Sequence, residues 1–438
     1  MRPKLYKRHA HRKSKTERKG GDVMTNYSKP QRQVPLILLA SALCISSAFA
    51  HGKKNDDLGP FIVGEQGVLY EGGVYDVQPS AGAPTTMSGQ MHVFYQLPLS
   101  PNNHSWNWKR TSRLPIIMIH GSQQTGANFL GTPDGRAGWA SYFVAHGWPV
   151  YVIDQPGRGK SGYFPNAYGP QAANPSPTTV KQQFTAPELT SPLGWPQAIK
   201  HTQWPGGPKS GVPGNYAFDQ FFASQVANMP NGDQALALTT AAVTALIKKI
   251  GPAIIMTHSM SGPESWFIPQ ANPGMVKAII AVEPSGNSSL TGDTAPATTC
   301  GLSNVCLAFN PPVASPADLG LTKTPPPAAG VQGQPAANLK SCWLQSGKVI
   351  HQPTGLKGIP ILIQTGEASY HAGYDYCTSA FLTQAGIPNT YLYLPTAKIY
   401  GNGHMQMLEM NNLDIAALDE QWLSKALKVH DNDIAWGR

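Results

Sequence analysis

Six short apolar runs recur after residue 110, and they constrain the fold of this chain more than any other feature. They are Leu114–Ile119, Pro149–Asp154, Ala253–His258, Val276–Glu283, Ile359–Gly366 and Thr390–Leu394. A strand with one wet face alternates apolar and polar residues, whereas an uninterrupted run fits a strand covered on both faces. Helical patterns fall between and after the runs, over Gly135–Ala145, Asp233–Lys249, Gly262–Pro269 and Asn412–Leu427. The second ends in Lys248 and Lys249, where positive charge favours the helix dipole. The alternation predicts one domain built on an open, mostly parallel α/β sheet flanked by helices. Residues 60–98 contain FIVGEQGVLYEGG and MHVFYQLP, which read as antiparallel strands leading into that sheet.

Two stretches break the alternation. Residues 160–231 are rich in Pro, Gly, Asn and Trp; residues 285–357 hold three cysteines and Pro325-Pro326-Pro327. Connections this long within a compact domain often serve as active-site lids. Both follow C-terminal strand ends, where such sheets bind ligands, which favours lids over disordered surface insertions.

The net charge of +9 suggests nucleic-acid binding until it is located. Residues 1–33 carry eleven Lys/Arg against two Asp/Glu, and the chain after residue 50 carries 22 of each sign. A neutral body offers no electrostatic footprint for DNA or RNA. From Met24 the sequence reads as a secretory signal: Lys29 and Arg32, an apolar stretch from Val34 to Ala50, and Ala48-Phe49-Ala50 as cleavage site. Cleavage is expected before His51, giving an exported protein, periplasmic or secreted, with no stable membrane insertion afterwards. A retained anchor is the alternative; Leu43 before Cys44 is too large for a usual lipobox. Residues 1–23 read as an upstream extension, so residues 1–50 are set apart from a single domain over 51–438. The remaining cysteines, Cys300, Cys306, Cys342 and Cys377, suggest two disulfides in an exported chain. Proximity favours Cys300–Cys306 and Cys342–Cys377.

Three segments carry chemistry. In AIIMTHSMSG, residues 253–262, an apolar strand runs into Thr257-His258-Ser259-Met260-Ser261-Gly262 and a helical pattern follows. This resembles the G-x-S-x-G nucleophile elbow of α/β-hydrolases, a tight turn that lifts a serine hydroxyl above the sheet. Thr257 and Ser261 replace the two glycines but keep small side chains there. Ser259 is the candidate nucleophile, and the Met260 N–H a candidate oxyanion donor. In LPIIMIHGSQQTGANF, residues 114–129, a buried strand ends at His120-Gly121, and the next loop is where this fold takes its other oxyanion N–H. Ser122 is the first candidate and Gln123 the second; His120 reads as structural. In YGNGHMQMLEMNN, residues 400–412, His404 follows the last strand and precedes the last helix. That is the position of the general base in this fold. His351 and His371 compete less well, and His258 reads as structural. The acid must lie between the serine and the histidine. Glu283 and Glu367 both end strands, Asp375 is a third choice, and spacing does not decide among them.

The set HGSQQTGANF, DQPGRGKSG (154–162), HTQWPG (201–206), THSMSG, AVEPSG (281–286) and GNGHMQMLEMNNL resembles one group of secreted bacterial α/β-hydrolase carboxylesterases. The group includes esterases that remove methyl or ethyl ester groups from sulfonylurea herbicides. The resemblance spans most of residues 60–428. It implies the α/β-hydrolase fold and a Ser-Glu-His triad whose Glu follows the strand after the elbow, the position of Glu283. The elbow substitutions and the cysteine-bearing 285–357 insertion depart from the group.

Asp154 and Arg158 read as a hydrogen-bonded turn, since Pro and Gly dominate it. Trp195, Trp204, Phe221, Phe222 and Trp266 either line a pocket or pack the core and lid. The sequence contains no P-loop, dinucleotide fingerprint or metal-binding His cluster. The expected function is hydrolysis of small or medium carboxylic esters through a serine acyl-enzyme, with no metal or other cofactor. The rivals are lactone or amide hydrolysis on the same triad, and a non-catalytic binding protein on a hydrolase scaffold. The expected partner is a small-molecule ester; monomer and homodimer both stay open.

Overall fold

The structure is a computed structural model in which residues 58–77, 84–99, 113–286 and 300–429 are described. The expected leader, residues 1–50, lies outside the described residues. Eight strands form one sheet: β1 (Val63–Val77), β2 (Pro84–Pro98), β3 (Ile116–Ile119), β4 (Val150–Asp154), β5 (Ala253–His258), β6 (Val276–Val282), β7 (Ile361–Thr365) and β8 (Asn389–Tyr393). Their spatial order is β1-β2-β4-β3-β5-β6-β7-β8. β2 runs antiparallel to β1 and β4, and every pairing from β4 to β8 is parallel. This is the α/β-hydrolase fold.

The apolar runs divide their side chains between two cores, as the two-residue strand period requires. Ile117, Ile119, Ala253 and Ile255 point to one face, with α3 (Gly232–Ile250), α4 (Glu264–Ala271) and α5 (Asp375–Gln384). Ile116, Met118, Ile254 and Met256 point to the other, with α1 (Trp139–Ala145), α2 (Tyr216–Ala223) and α6 (Asn412–Leu427). All four β3 side chains are fully buried, which stabilises the fold by about 1.5–3 kcal/mol for each large one. Their lack of alternation is thus the direct record of a two-sided sheet.

α3 starts where Asn231 Oδ1 accepts the N–H groups of Asp233 and Gln234, and stops at Gly251, whose φ is 90°. α1 is shorter than expected, starting at Trp139, because Gly135 turns the chain with φ 87° and Gly131 and Ala137 pair as an isolated bridge. α2 and α5 are additional to the expected helices. In α5, Asp375, Tyr376, Cys377, Thr378, Phe381 and Leu382 are all buried, so no polar stripe marks it as a helix.

Both disulfides pair as proximity suggested. Cys342–Cys377 ties α5 to a small antiparallel pair, Leu321–Thr324 with Cys342–Gln345. Cys300, Leu302, Leu307 and Phe309 of the second long stretch belong to the α3 core, and Phe218 and Phe221 of the first belong to the α1 core. Among the described residues no helix is long and apolar enough to cross a membrane.

Candidate active site

β5 ends at His258, and Ser259–Ser261 form a single 3-10 turn leading toward α4. Ser259 has φ 56°, a left-handed conformation that a non-glycine residue holds only under the constraint of its surroundings. The hydroxyls that replace the motif glycines are used. Thr257 Oγ1 meets Ser265 Oγ at 2.7 Å, and Ser261 Oγ donates to Ile119 O at 2.9 Å while accepting the His258 N–H at 3.0 Å. The need for glycine moves to neighbouring positions. A Cβ on Gly262 would lie 2.6 Å from both N and O of Ser285, and one on Gly121 would lie 3.0 Å from Ser259 Cβ.

That close approach sets the β3 loop beside Ser259. Gln123, with φ 56°, donates its N–H to Asn228 Oδ1 at 2.7 Å, while Asn228 Nδ2 donates to Ser122 Oγ at 2.7 Å. Asn228 therefore engages the Gln123 N–H, the second oxyanion candidate. The N–H groups of Ser122 and Met260 have no hydrogen-bond partner among the described residues.

His404 arrives on the loop after β8. Its Nδ1 meets Glu283 Oε2 at 2.5 Å, and both side chains are buried. Glu283 sits one residue beyond β6 with φ 46°. Three further donors converge on its carboxylate: Ser369 Oγ at 2.5 Å, the Gly366 N–H at 2.7 Å and Gln406 Nε2 at 2.9 Å. Burial alone favours the neutral form of each partner. It pushes Glu283 up to about 8, although His371 and these hydrogen bonds oppose it, and holds His404 well below the ordinary imidazole range. Nδ1 and Oε2 share a proton, and the pair titrates as one unit.

His404 Nε2 lies 3.2 Å from the Tyr370 hydroxyl. The Tyr370 ring lies 4.7 Å from the His404 ring and edge-on to Trp195, while Phe184 stacks on His404 at 5.5 Å. Phe184, Trp195 and Asn228 all come from the long 160–231 stretch, so that stretch covers the site.

The other candidates lie elsewhere or bond differently. Glu367 takes Lys200 Nζ at 2.8 Å and the Gly401 N–H at 2.9 Å. Asp375 holds His371 Nδ1 at 2.8 Å and Thr365 Oγ1 at 2.7 Å, and the His371 ring stacks on His404 at 4.9 Å. His351 meets Pro311 O. His258 Nε2 meets His404 O at 3.0 Å, and His120 Nε2 accepts the Gln155 N–H at 3.1 Å. Asp154 accepts the N–H groups of Gly126 and Lys160, as a structural turn should. Arg158 is buried, with Nη2 3.8 Å from Met260 Sδ, and burial lowers it to about 10 despite nearby Glu264. Trp204, Phe221 and Trp266 are buried in the cores.

Sequence reading missed Tyr370, Ser369, Phe184 and Asn228, none of which sits in a recognisable motif, and it gave no task to Gln406 within the His404 segment. It also left HTQWPG without a task. His201 is buried between Glu188 Oε2 at 2.9 Å and Glu409 Oε1 at 3.0 Å. Glu409 also accepts the Gly403 N–H and the Asn402 amide, and Thr202 N donates to Gly401 O. The motif braces the loop that carries His404. One ligand atom each from Glu283, His371 and His404 falls within 4.8 Å of the others. Hydrogen bonds between Glu283 and His404, and between His371 and Asp375, already engage these side chains.

No family model matches the chain. A probable secreted lipase, phiG, from a fungal species (strain ATCC 74256) is 39% identical over 325 residues, covering 72% of this chain and 83% of that protein. A solved structure described as a novel bacterial esterase shares the fold, with 24% identity, a TM-score of 0.53 and coverage of 85% of this chain and 99% of that one. With the sheet, the elbow and a relative of that identity and coverage, the chain belongs to the esterase/lipase-like α/β-hydrolase family.

Proposed function

We propose that the protein is an exported serine carboxylesterase that hydrolyses small or medium carboxylic esters. The observation that carries this reading is the buried Glu283–His404 pair beside the left-handed Ser259 turn. Ser259 attacks the ester carbonyl as His404 takes up its proton, and Glu283 holds the imidazole tautomer and stabilises the imidazolium. The Ser122 and Met260 N–H groups receive the oxyanion; losing one such donor typically costs about 3 kcal/mol in the transition state. Water then cleaves the acyl-enzyme, with His404 as base again. The same residues in the same order support a Ser-Glu-His triad of the kind used by secreted carboxylesterases, including those that de-esterify sulfonylureas. Phe184 and Trp195 over the site support a lid role for residues 160–231. Two disulfides and a secreted relative fit removal of residues 1–50 on export.

The test is a substrate panel on protein starting at His51: p-nitrophenyl esters of rising chain length, alkyl esters, lactones and anilides, with wild type and Ser259→Ala. Ester turnover and fluorophosphonate labelling in wild type, both lost in a folded Ser259→Ala, are expected. Lactone or anilide turnover without ester turnover would replace this reading, and full ester turnover in Ser259→Ala would refute it.

A further inference from the structure

Given Ser259 as nucleophile and the oxyanion at Ser122 and Met260, the roles just proposed, we infer that Asn228 is a positioning residue for the oxyanion hole. It clasps the loop after β3, holds the Ser122 N–H ready for substrate and makes the 160–231 stretch part of the hole. The Gln123 N–H donates to Asn228 Oδ1 at 2.7 Å, and Asn228 Nδ2 donates to Ser122 Oγ at 2.7 Å. Beside them the Val226 N–H donates to Gln123 O at 2.8 Å. A backbone N–H can only donate, so it fixes which end of the Asn228 amide faces Gln123 and leaves the NH2 end for Ser122 Oγ. One rigid group thus supplies both the acceptor and the donor that this loop requires.

The loop needs such holding. Gln123 has φ 56°, and a non-glycine residue keeps a left-handed backbone only where its surroundings enforce it. Residues 226–228 take both of its backbone polar groups. A second link closes the clasp: the Ala172 N–H donates to Asn228 O at 3.1 Å, and Gln123 Nε2 donates to Ala173 O at 3.3 Å. Next to Asn228, Met229 packs in an apolar cluster with Tyr168 and Ala235, and Asn231 caps α3. Asn228 is therefore anchored to α3 on one side and to the β3 loop on the other.

The clasp also decides which amide is available. With the Gln123 N–H committed to Asn228, the Ser122 N–H is the one left for the oxyanion. Asn228 grips Ser122 by its hydroxyl and by the peptide that follows it, and so sets the direction of the Ser122 N–H. Direction matters because a hydrogen bond weakens steeply as it bends. Asn228 itself gives and takes no proton in the reaction.

The experiment compares wild type and Asn228→Ala on a p-nitrophenyl ester, and measures inhibition by an aryl trifluoromethyl ketone and by the matching methyl ketone. Ser259 Oγ adds to the trifluoromethyl ketone carbonyl, its proton going to His404 and the π pair onto oxygen; the methyl ketone fills the same place without adding. Asn228→Ala should lower kcat about 10- to 100-fold with KM nearly unchanged, since outright loss of a donor typically costs about 10²–10³. Its affinity for the trifluoromethyl ketone should fall by a similar factor, and its affinity for the methyl ketone should not. Values of kcat and trifluoromethyl ketone affinity both within about threefold of wild type would overturn the inference. Equal losses for the two ketones, the mark of a collapsed pocket, would overturn it too. In wild type the trifluoromethyl ketone should move the Ser122 amide proton downfield in NMR spectra and leave the Gln123 amide proton in place. That measurement decides if thermal melting shows the variant unfolded, a shift at Gln123 instead of Ser122 overturning the clasp. Tight trifluoromethyl ketone binding in both proteins rejects the role of Asn228 alone; a wild type that forms no adduct rejects the nucleophile beneath it.

Discussion

His201 should make stability pH-dependent in a window where most proteins show little change. The imidazole is buried with a carboxylate on each nitrogen, Glu188 at 2.9 Å and Glu409 at 3.0 Å. Burial opposes its charge, but the hydrogen bonds it donates to the two glutamates, with their negative charges, outweigh burial and lift His201 from 6.5 to about 9. At 1.36 kcal/mol per pH unit, that rise corresponds to about 3 kcal/mol of stability linked to one proton. The sign follows from which state holds the proton. Between pH 6.5 and 9 the folded protein keeps it and the unfolded chain releases it. The contribution is therefore complete below pH 6.5 and is lost as pH rises through 9.

His201→Gln removes the cation and leaves two buried carboxylates facing each other, a change that typically costs about 3–5 kcal/mol. Urea midpoints of wild type and variant, taken from pH 6 to 10 with disulfides intact, should show the largest gap at pH 6. The gap should shrink by about 3 kcal/mol by pH 10, as wild type loses what the variant never had. The variant's kcat should fall as well, because Glu409 also holds the Gly403 N–H of the His404 loop at 2.9 Å. A gap that stays constant with pH, or an imidazole NMR signal for His201 titrating near 6.5, would refute the reasoning.

Three further outcomes are expected. Glu283→Gln should lower kcat by about 10³–10⁴, as loss of a triad acid does, whereas Glu367→Gln should leave kcat nearly unchanged because its partners are Lys200 and the Gly401 N–H; steady-state kinetics on one ester checks both. The acid limb of kcat/KM should lie below pH 6.5, since burial and the stacked His371 both disfavour the His404 cation, and His371→Asn should move that limb upward in a pH–rate profile. Buried Asp419 has no hydrogen-bond partner on either oxygen among the described residues, so burial keeps it protonated; because only the folded state holds that proton above pH 3.8, its presence makes stability fall as pH rises from there, and Asp419→Asn should raise the urea midpoint at pH 7 but not at pH 3.

Most of the sheet was legible because both of its faces are covered. That burial removes alternation from β3 to β7, and a continuous apolar run is visible without knowing its partner. The elbow and the His404 loop were legible because each sits at a strand end with a fixed place in chain order. What stayed hidden depends on contacts between distant segments. Tyr370 looks like any loop aromatic until Trp195, Phe184 and His404 surround it. His201 looks like an isolated histidine until Glu188 and Glu409, 13 and 208 residues away, close on it. α5 hid for the opposite reason to the strands: burial on several sides erased the polar stripe by which helices are recognised.

The choice between Glu283 and Glu367 shows where spacing runs out. Each follows a strand of the same parallel sheet, and both strand ends point toward the site. Register separates them: Val282 pairs with Gln364, so Glu283 is level with Thr365 and Glu367 lies two residues further along its strand direction. Glu367 therefore overshoots to Lys200 and Gly401, while Glu283 meets the imidazole. Backbone geometry adds the second condition. With φ 46°, Glu283 turns left-handed as its strand ends, and its carboxylate meets Ser369, Gly366, Gln406 and His404. A one-residue slip between β6 and β7 would break this convergence, because side chains one residue apart point to opposite faces. Which carboxylate meets His404 is thus a property of strand register, which neighbouring strands fix jointly and spacing along the chain does not encode.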